Sequence, residues 1–177
     1  MTIAETQQVY KTLLTKHKQL IDKRDGAPMK IAILKTSWYP KIMTGLQNSA
    51  FQYLEDLSIG DQCLVSVTQV PGSFEIPLVA KKILSHHDVD LLVVLGCIIK
   101  GETSHFDFLS QSVIQEIMDL QVKSMLPIGM GILTVDDESQ AEARFSKGAE
   151  AMQAALDVYL TLNNVSKEYP RFESPSI

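Results

Sequence analysis

The sequence predicts one α/β domain, a parallel β-sheet sandwiched between helices, and three observations carry that reading. Four apolar or β-branched runs, at 30–35, 62–69, 91–99 and 128–134, are separated by stretches with helical apolar spacing. The third run, LLVVLGCII, is almost continuously apolar, as a central strand covered on both faces must be. Strand and helix alternate four times, an order that selects parallel pairing with right-handed crossovers. A length of 177 residues fits a single domain that buries enough surface to need no disulfide or metal staple.

Residues 4–23 read as a helix with a thin stripe of Val9, Leu13, Leu20 and Ile21, stopped by Gly26 and Pro28. Residues 1–28 are therefore expected to be a helical extension ahead of the α/β domain at 29–165, with 166–177 as a tail. The first strand, KIAILK, leads through a loop ending at Pro40 into a helix with Ile42, Leu46, Ala50, Leu54 and Leu57 on one side. After the second strand, Pro71-Gly72 makes a turn. The helix that follows runs to about His86, and Pro77 falls in its first turn, where proline is tolerated. The next helix carries Phe106, Leu109, Val113, Ile117 and Leu120 on one face. After the fourth strand, Asp137-Glu138-Ser139-Gln140 resembles a capping box and is expected to open one long helix reaching about Leu162.

Composition removes several function classes. The formal net charge is −5 and no basic stripe stands out, which argues against a nucleic-acid surface. No run approaches membrane-spanning length, and the polar N-terminus has no apolar signal core, so a cytoplasmic protein is expected. Cys63 and Cys97 each lie in a strand-like run and read as buried thiols rather than a redox pair. No His, Cys or Asp grouping has metal-ligand spacing, so no metal is predicted. His86 and His87, at a helix end, are explained by dipole compensation and exposure, and His17 is given no role.

In open parallel sheets the ligand site lies beyond the carboxyl ends of the strands. That rule places the loops at 36–40, 70–75, 99–105 and 134–138 on one rim. The most informative stretch is GCIIKGETSHFD, from Gly96 to Asp107. A strand ends, Gly101 permits a tight turn, and Thr103 or Ser104 starts a helix whose free N–H groups and dipole favour an anion. A nucleoside-triphosphate loop would need Gly-Lys-Ser/Thr, whereas Lys100 precedes the glycine and Glu102 follows it. His105, just inside this turn, suits general acid–base work near neutral pH. It equally suits a rim histidine that only hydrogen-bonds locally. In VPGSFEIP, at 70–77, Glu75 either complements the helix dipole or binds vicinal hydroxyls. Trp38 is the only tryptophan; it either stacks on a planar heterocycle or covers the sheet end. Arg144 suits bidentate phosphate contact but also fits an ordinary solvated helix position.

Taken in order, these segments resemble the lumazine synthase family. They are the aromatic Trp38 after the first strand, VPGSFEIP, GCIIKGETSHFD, and GILT followed by Glu138-Ser139-Gln140-Ala141, Arg144 and SKGAEA. The resemblance covers about residues 30–160. It implies a flavodoxin-like three-layer sandwich on a four-stranded parallel sheet, and a homopentamer, or multiples of one, with sites shared between neighbouring subunits. It further implies that Trp38 stacks on a pyrimidine ring, that Ser73, Phe74 and Glu75 hold a ribityl chain, and that Cys97, Ile98 and Ile99 meet the ring edge through their backbone. The amides of Glu102 and Thr103, with Arg144 of an adjacent subunit, would bind phosphate; the carboxylate of Glu102 has the wrong charge for that role. His105 would move protons, and Met130 would cover the heterocycle across the interface. Four features depart from the family pattern: Ser37 where a basic residue is common, Tyr39 where Asn is common, Met130 where Phe is usual, and a shortened stretch between Arg144 and Lys147.

The activity implied is a cofactor-free condensation of a ribitylaminouracil with a phosphorylated butanone, both small-molecule substrates. Two other readings stand beside it. A non-catalytic flavin- or lumazine-binding shell protein is motivated by the four departures. A riboflavin synthase of archaeal type would need no phosphate site, and the GETSH turn with Arg144 argues against it.

Overall fold

The computed structural model describes residues 27–86 and 88–168, together with Thr15. The expected N-terminal helix (Thr15 apart), His17, His87 and the end of the tail lie outside the described residues.

Four strands form one all-parallel sheet: β1 (Met29–Thr36), β2 (Cys63–Val70), β3 (Leu91–Ile99) and β4 (Ile128–Val135). Their spatial order is β2-β1-β3-β4. The chain therefore steps one way from β1 to β2 and the other way from β3 to β4. Between β1 and β3 the direction reverses, and a crevice is left there at the strand ends. Ile31 sits in register with Val65 on one side and Leu91 on the other, and apolar residues fill both faces of this central strand.

The pleat sends alternate residues to two cores. Met29, Ile31, Ile33, Leu91, Val93 and Leu95 face one layer, built by helix α1 (Pro40–Asp56) and the last helix. Ala32, Leu34, Leu92, Val94 and Ile98 face the other, built by α2 (Ile76–Ser85) and α3 (His105–Ser124). The helix faces are those the spacing predicts. Ile42, Leu46, Ala50 and Leu54 are buried on α1, and Val113, Ile117 and Leu120 on α3. His86 ends α2, with its ring Nδ1 2.7 Å from the Lys82 carbonyl oxygen.

One expected element is different. The predicted long helix from 138 is two helices, α4 (Glu138–Glu142) and α5 (Lys147–Glu168), separated by a turn at 143–146. Nothing in the local sequence demands a break; tertiary contact does. The Phe145 ring seats against Gly45 of α1, and Gly148 approaches so closely that an added Cβ would stand 1.9 Å from the Leu46 carbonyl oxygen. Ser49 on α1 accepts a hydrogen bond from the Ala149 N–H at 3.1 Å, which satisfies a donor at the start of α5. A straight continuation of α4 would not seat these groups on α1. Asp137 caps α4 by accepting from the Gln140 N–H at 2.8 Å, but the Gln140 side chain accepts from Asp136 rather than completing the box on Asp137. At its other end α5 runs beyond Leu162. Asn163 and Ser166 turn their side chains back onto carbonyls of the preceding turn instead of capping it.

Gly148→Ala is expected to cost about 1–3 kcal/mol by overpacking α5 on α1. Gly60→Ala, which meets nothing within 4 Å, should stay within about 0.5 kcal/mol of the native protein. Denaturant unfolding of the two variants checks the contrast.

Candidate active site

The crevice between β1 and β3 is roofed by three rim loops. After β1, Ser37 ties its loop to the end of β2. Its N–H donates to the Val70 carbonyl at 2.8 Å, and its hydroxyl donates to the same oxygen at 3.0 Å. The Gln69 amide in turn donates to the Ser37 hydroxyl at 2.8 Å. Trp38 follows, 64% exposed, and its indole lies over Gly72 of the second loop. In that loop Ser73–Glu75 forms a 3-10 turn before α2, held by the Gly72 N–H donating to Glu75 Oε2 at 2.9 Å. After β3 the chain turns through Gly101, and α3 opens at His105. The His105 N–H points to the Thr103 hydroxyl at 3.4 Å, and Ser104 gives no side-chain cap.

These loops enclose a cleft of about 150 Å³. Of the residues singled out in the sequence, Trp38, Ser73, Cys97, Ile98, Ile99, Thr103 and His105 line it together. Tyr39, Gly101, Phe106 and Leu109 complete the lining. Phe106 and Leu109 read in the sequence as part of a core stripe. Helical periodicity reports that a face is apolar, not whether it meets the sheet or a ligand. Tyr39 is marked in the sequence only as a departure from a family pattern, and no local signal gives its lining position.

Five other sequence candidates stand apart from this cleft. Phe74 is 76% exposed and, with Leu78 and Phe108, borders an open apolar groove of about 540 Å³ between α2 and α3. His105 and Leu109 belong to both the cleft and the groove. The Glu75 carboxylate is engaged with the Gly72 N–H. Glu102 is exposed on the turn. Met130 is partly exposed on edge strand β4, in register with Val94. Arg144 occupies the turn between α4 and α5, where its guanidinium donates to the Gln140 carbonyl at 2.7 Å. Arg144 also helps hold the Asp137 carboxyl below its ordinary range, a smaller influence than the Ser139 hydroxyl and Gln140 N–H that bond to it.

Electrostatically the cleft is nearly bare. Among the described residues, no lysine, arginine or carboxylate lines it. Burial, with Glu138 nearby, pushes the Cys97 thiol up to about 11 and keeps it neutral at ordinary pH. The Ser73 hydroxyl is buried and has no hydrogen-bond partner among the described residues. A buried hydroxyl left unpaired is unfavourable, so the site holds a polar group ready for an incoming one. The cleft thus combines an exposed imidazole at a helix start, an indole wall, an unused hydroxyl and the backbone of a strand end. That set suits binding of a planar polar molecule with proton transfer at its edge.

A family model described as 6,7-dimethyl-8-ribityllumazine synthase matches residues 28–163. The 6,7-dimethyl-8-ribityllumazine synthase of Streptomyces coelicolor is 37% identical over 153 residues, 82% of this chain and 92% of that protein. The enzymes of that name from Streptomyces avermitilis and Cutibacterium acnes are each 38% identical over 153 residues. They cover 82% of this chain, and 92% and 89% of their own lengths.

Two outcomes follow from the geometry. Ser73→Ala should leave the ligand-free protein at least as stable in denaturant, because it removes an unpaired hydroxyl worth about 1–3 kcal/mol. The Cys97 thiol is raised in the fold, so its contribution to stability is complete below pH 9 and is lost as pH climbs from 9.0 towards 11. Stability measured across that window should fall less steeply in Cys97→Ala than in the native protein.

Proposed function

Because the chain belongs to the 6,7-dimethyl-8-ribityllumazine synthase family, we propose that it condenses 5-amino-6-(D-ribitylamino)uracil with 3,4-dihydroxy-2-butanone 4-phosphate to give 6,7-dimethyl-8-ribityllumazine, a transferase step of riboflavin biosynthesis. The observation that carries this reading is His105, standing at the start of α3 and lining, with Trp38, a cleft at the β1–β3 reversal.

The substrate's own amine is the nucleophile, so no Ser or Cys nucleophile is required. It attacks the butanone carbonyl, and loss of water gives an imine. Inorganic phosphate then leaves, and the second nitrogen closes the ring with loss of another water. The protein has to orient two molecules, worth up to ~7–11 kcal/mol in favourable cases, and move protons between them.

Trp38 forms the wall for the pyrimidine ring, and the strand-end backbone of Cys97, Ile98 and Ile99 meets its polar edge. Ser73, Phe74 and Glu75 hold the ribityl chain, with the unpaired Ser73 hydroxyl free to bond to it. The amides of Glu102 and Thr103 at the start of α3 bind the phosphate. His105 carries the protons.

The functional unit is a homopentamer, or multiples of one, with the cleft completed by a neighbour. Three observations support it. A cleft of about 150 Å³ is below the ~300–1,000 Å³ usual for ligand sites. A phosphate dianion calls for a cation, and none lines the cleft among the described residues. Exposed Phe74, Leu78 and Phe108 leave an apolar surface available for another subunit. Arg144 and Met130, both outside the cleft in their own chain, supply the missing charge and cover from the neighbour. We assign the enzyme to the cytoplasm, in keeping with a buried Cys97 that forms no disulfide. No helix among the described residues is long and apolar enough to cross a membrane.

Mixing the two substrates and following lumazine fluorescence tests the reaction directly. Binding and assembly without product would instead identify a lumazine-binding shell protein, the reading favoured by the Arg144 guanidinium being engaged at home. His105→Ala should lower turnover roughly 10²–10⁴-fold without changing the assembly mass, and an unaltered rate would remove the imidazole from the mechanism.

A further inference from the structure

The residue after Trp38 has an unusual backbone. Tyr39 lies in the left-handed region, at φ 58° and ψ 62°, and caps α1 with Pro40 immediately behind it. A side chain other than glycine is disfavoured there, and a residue ahead of proline is normally driven to extended backbone. Among the described residues only Tyr39, Ser58 and Met125 combine positive φ with a side chain, and only Tyr39 lines the cleft. Strain of this kind persists where surrounding structure over-determines it. Here the surroundings are visible. The Tyr39 side chain packs against the core shared by α1 and α5, and its carbonyl accepts the Met43 N–H at 3.0 Å.

On the other side of Trp38 stands the Ser37 clip. Ser37 is fastened to the end of β2 through its own N–H and hydroxyl, and Gln69 bonds onto that hydroxyl. The indole between these two anchors is 64% exposed, so packing alone does not fix it. It lies against Gly72, where even a Cβ would remain 3.8 Å from the ring.

We propose that Tyr39, together with the Ser37–Gln69 clip, is a positioning device that presets Trp38 as a fixed wall of the cleft rather than a movable cover. The strained Tyr39 backbone turns the chain sharply into α1, while Ser37 holds the preceding residue to β2. The indole is thereby aimed before any substrate arrives, and ring binding does not have to order it. The functional half of this proposal rests on the reading of Trp38 as the stacking surface for the heterocycle. The structural half does not.

Trp38 is the only tryptophan in the chain, so its fluorescence reports on this one ring. Time-resolved anisotropy of the full-length protein without substrates is expected to show an indole that moves with the whole assembly. Tyr39→Gly accepts the same backbone but removes the anchor in the core; it should add a fast local depolarisation. Tyr39→Phe should stay as ordered as the native protein. The paired change Ser37→Ala with Gln69→Ala removes the side-chain bonds of the clip, leaving only the backbone N–H to β2, without touching α1. It should reproduce the fast motion even if Tyr39→Gly does not fold.

In Tyr39→Gly and the paired Ser37/Gln69 variant, but not in Tyr39→Phe, KM for the ribitylaminouracil should rise about three- to tenfold, the scale of one aromatic contact, with a smaller change in kcat. An indole as rigid as the native one in the paired Ser37/Gln69 variant, and in Tyr39→Gly if it folds, overturns the proposal, whatever their activity. Fast motion with an unchanged KM overturns it as well, by separating indole order from binding. Absence of lumazine formation by the native protein would defeat the functional reading alone, and anisotropy would still judge the anchoring.

Discussion

The arrangement of the site depends on a reversal in strand order. β1 sits inside the sheet, with its first successor β2 on one side and β3 on the other. Connections leaving β1 and β3 therefore depart in opposite senses, and no crossover covers the space between their carboxyl ends. Trp38, at the end of β1, and the Gly101–His105 turn, at the end of β3, flank that space from opposite sides. The all-parallel register matters too: it puts all four strand ends on one rim, so residues far apart in the chain meet without any of the loops being long.

Much of this was legible because buried parallel strands have an unmistakable composition. LLVVLGCII reads as β3 to the residue, and the other three strands fall within a residue of the expected limits. Helix faces were equally readable, since 3.6-residue spacing is a local property. What escaped was set by contacts distant in sequence. The break at 143–146 exists because Phe145 and Gly148 meet Gly45 and Leu46, about a hundred residues earlier. No propensity within 138–162 encodes that meeting.

The site divides along the same line. Motif residues next to strand ends were legible, because a strand end fixes where its next few residues go. Trp38, Ser73, Cys97, Thr103 and His105 line one cleft. The left-handed conformation of Tyr39 was not legible: nothing about a tyrosine before proline announces it. Nor could the sequence decide between the two readings of Glu75, whose carboxylate is engaged in holding its own turn. For His105 the structure adds that the ring borders both the cleft and the apolar groove.

The seam between β4 and the last helix has a practical consequence for redesign. An added Cβ at Gly129 would stand 2.1 Å from the Ala151 carbonyl oxygen, so sheet and helix backbones are nearly in contact there. Any side chain at position 129 therefore requires β4 or the last helix to shift. Edge strand β2 is the opposite case, with Leu64 and Val67, on its two faces, both exposed. The contact of Gly129 with the last helix is thus the part of this scaffold to leave unchanged in redesign.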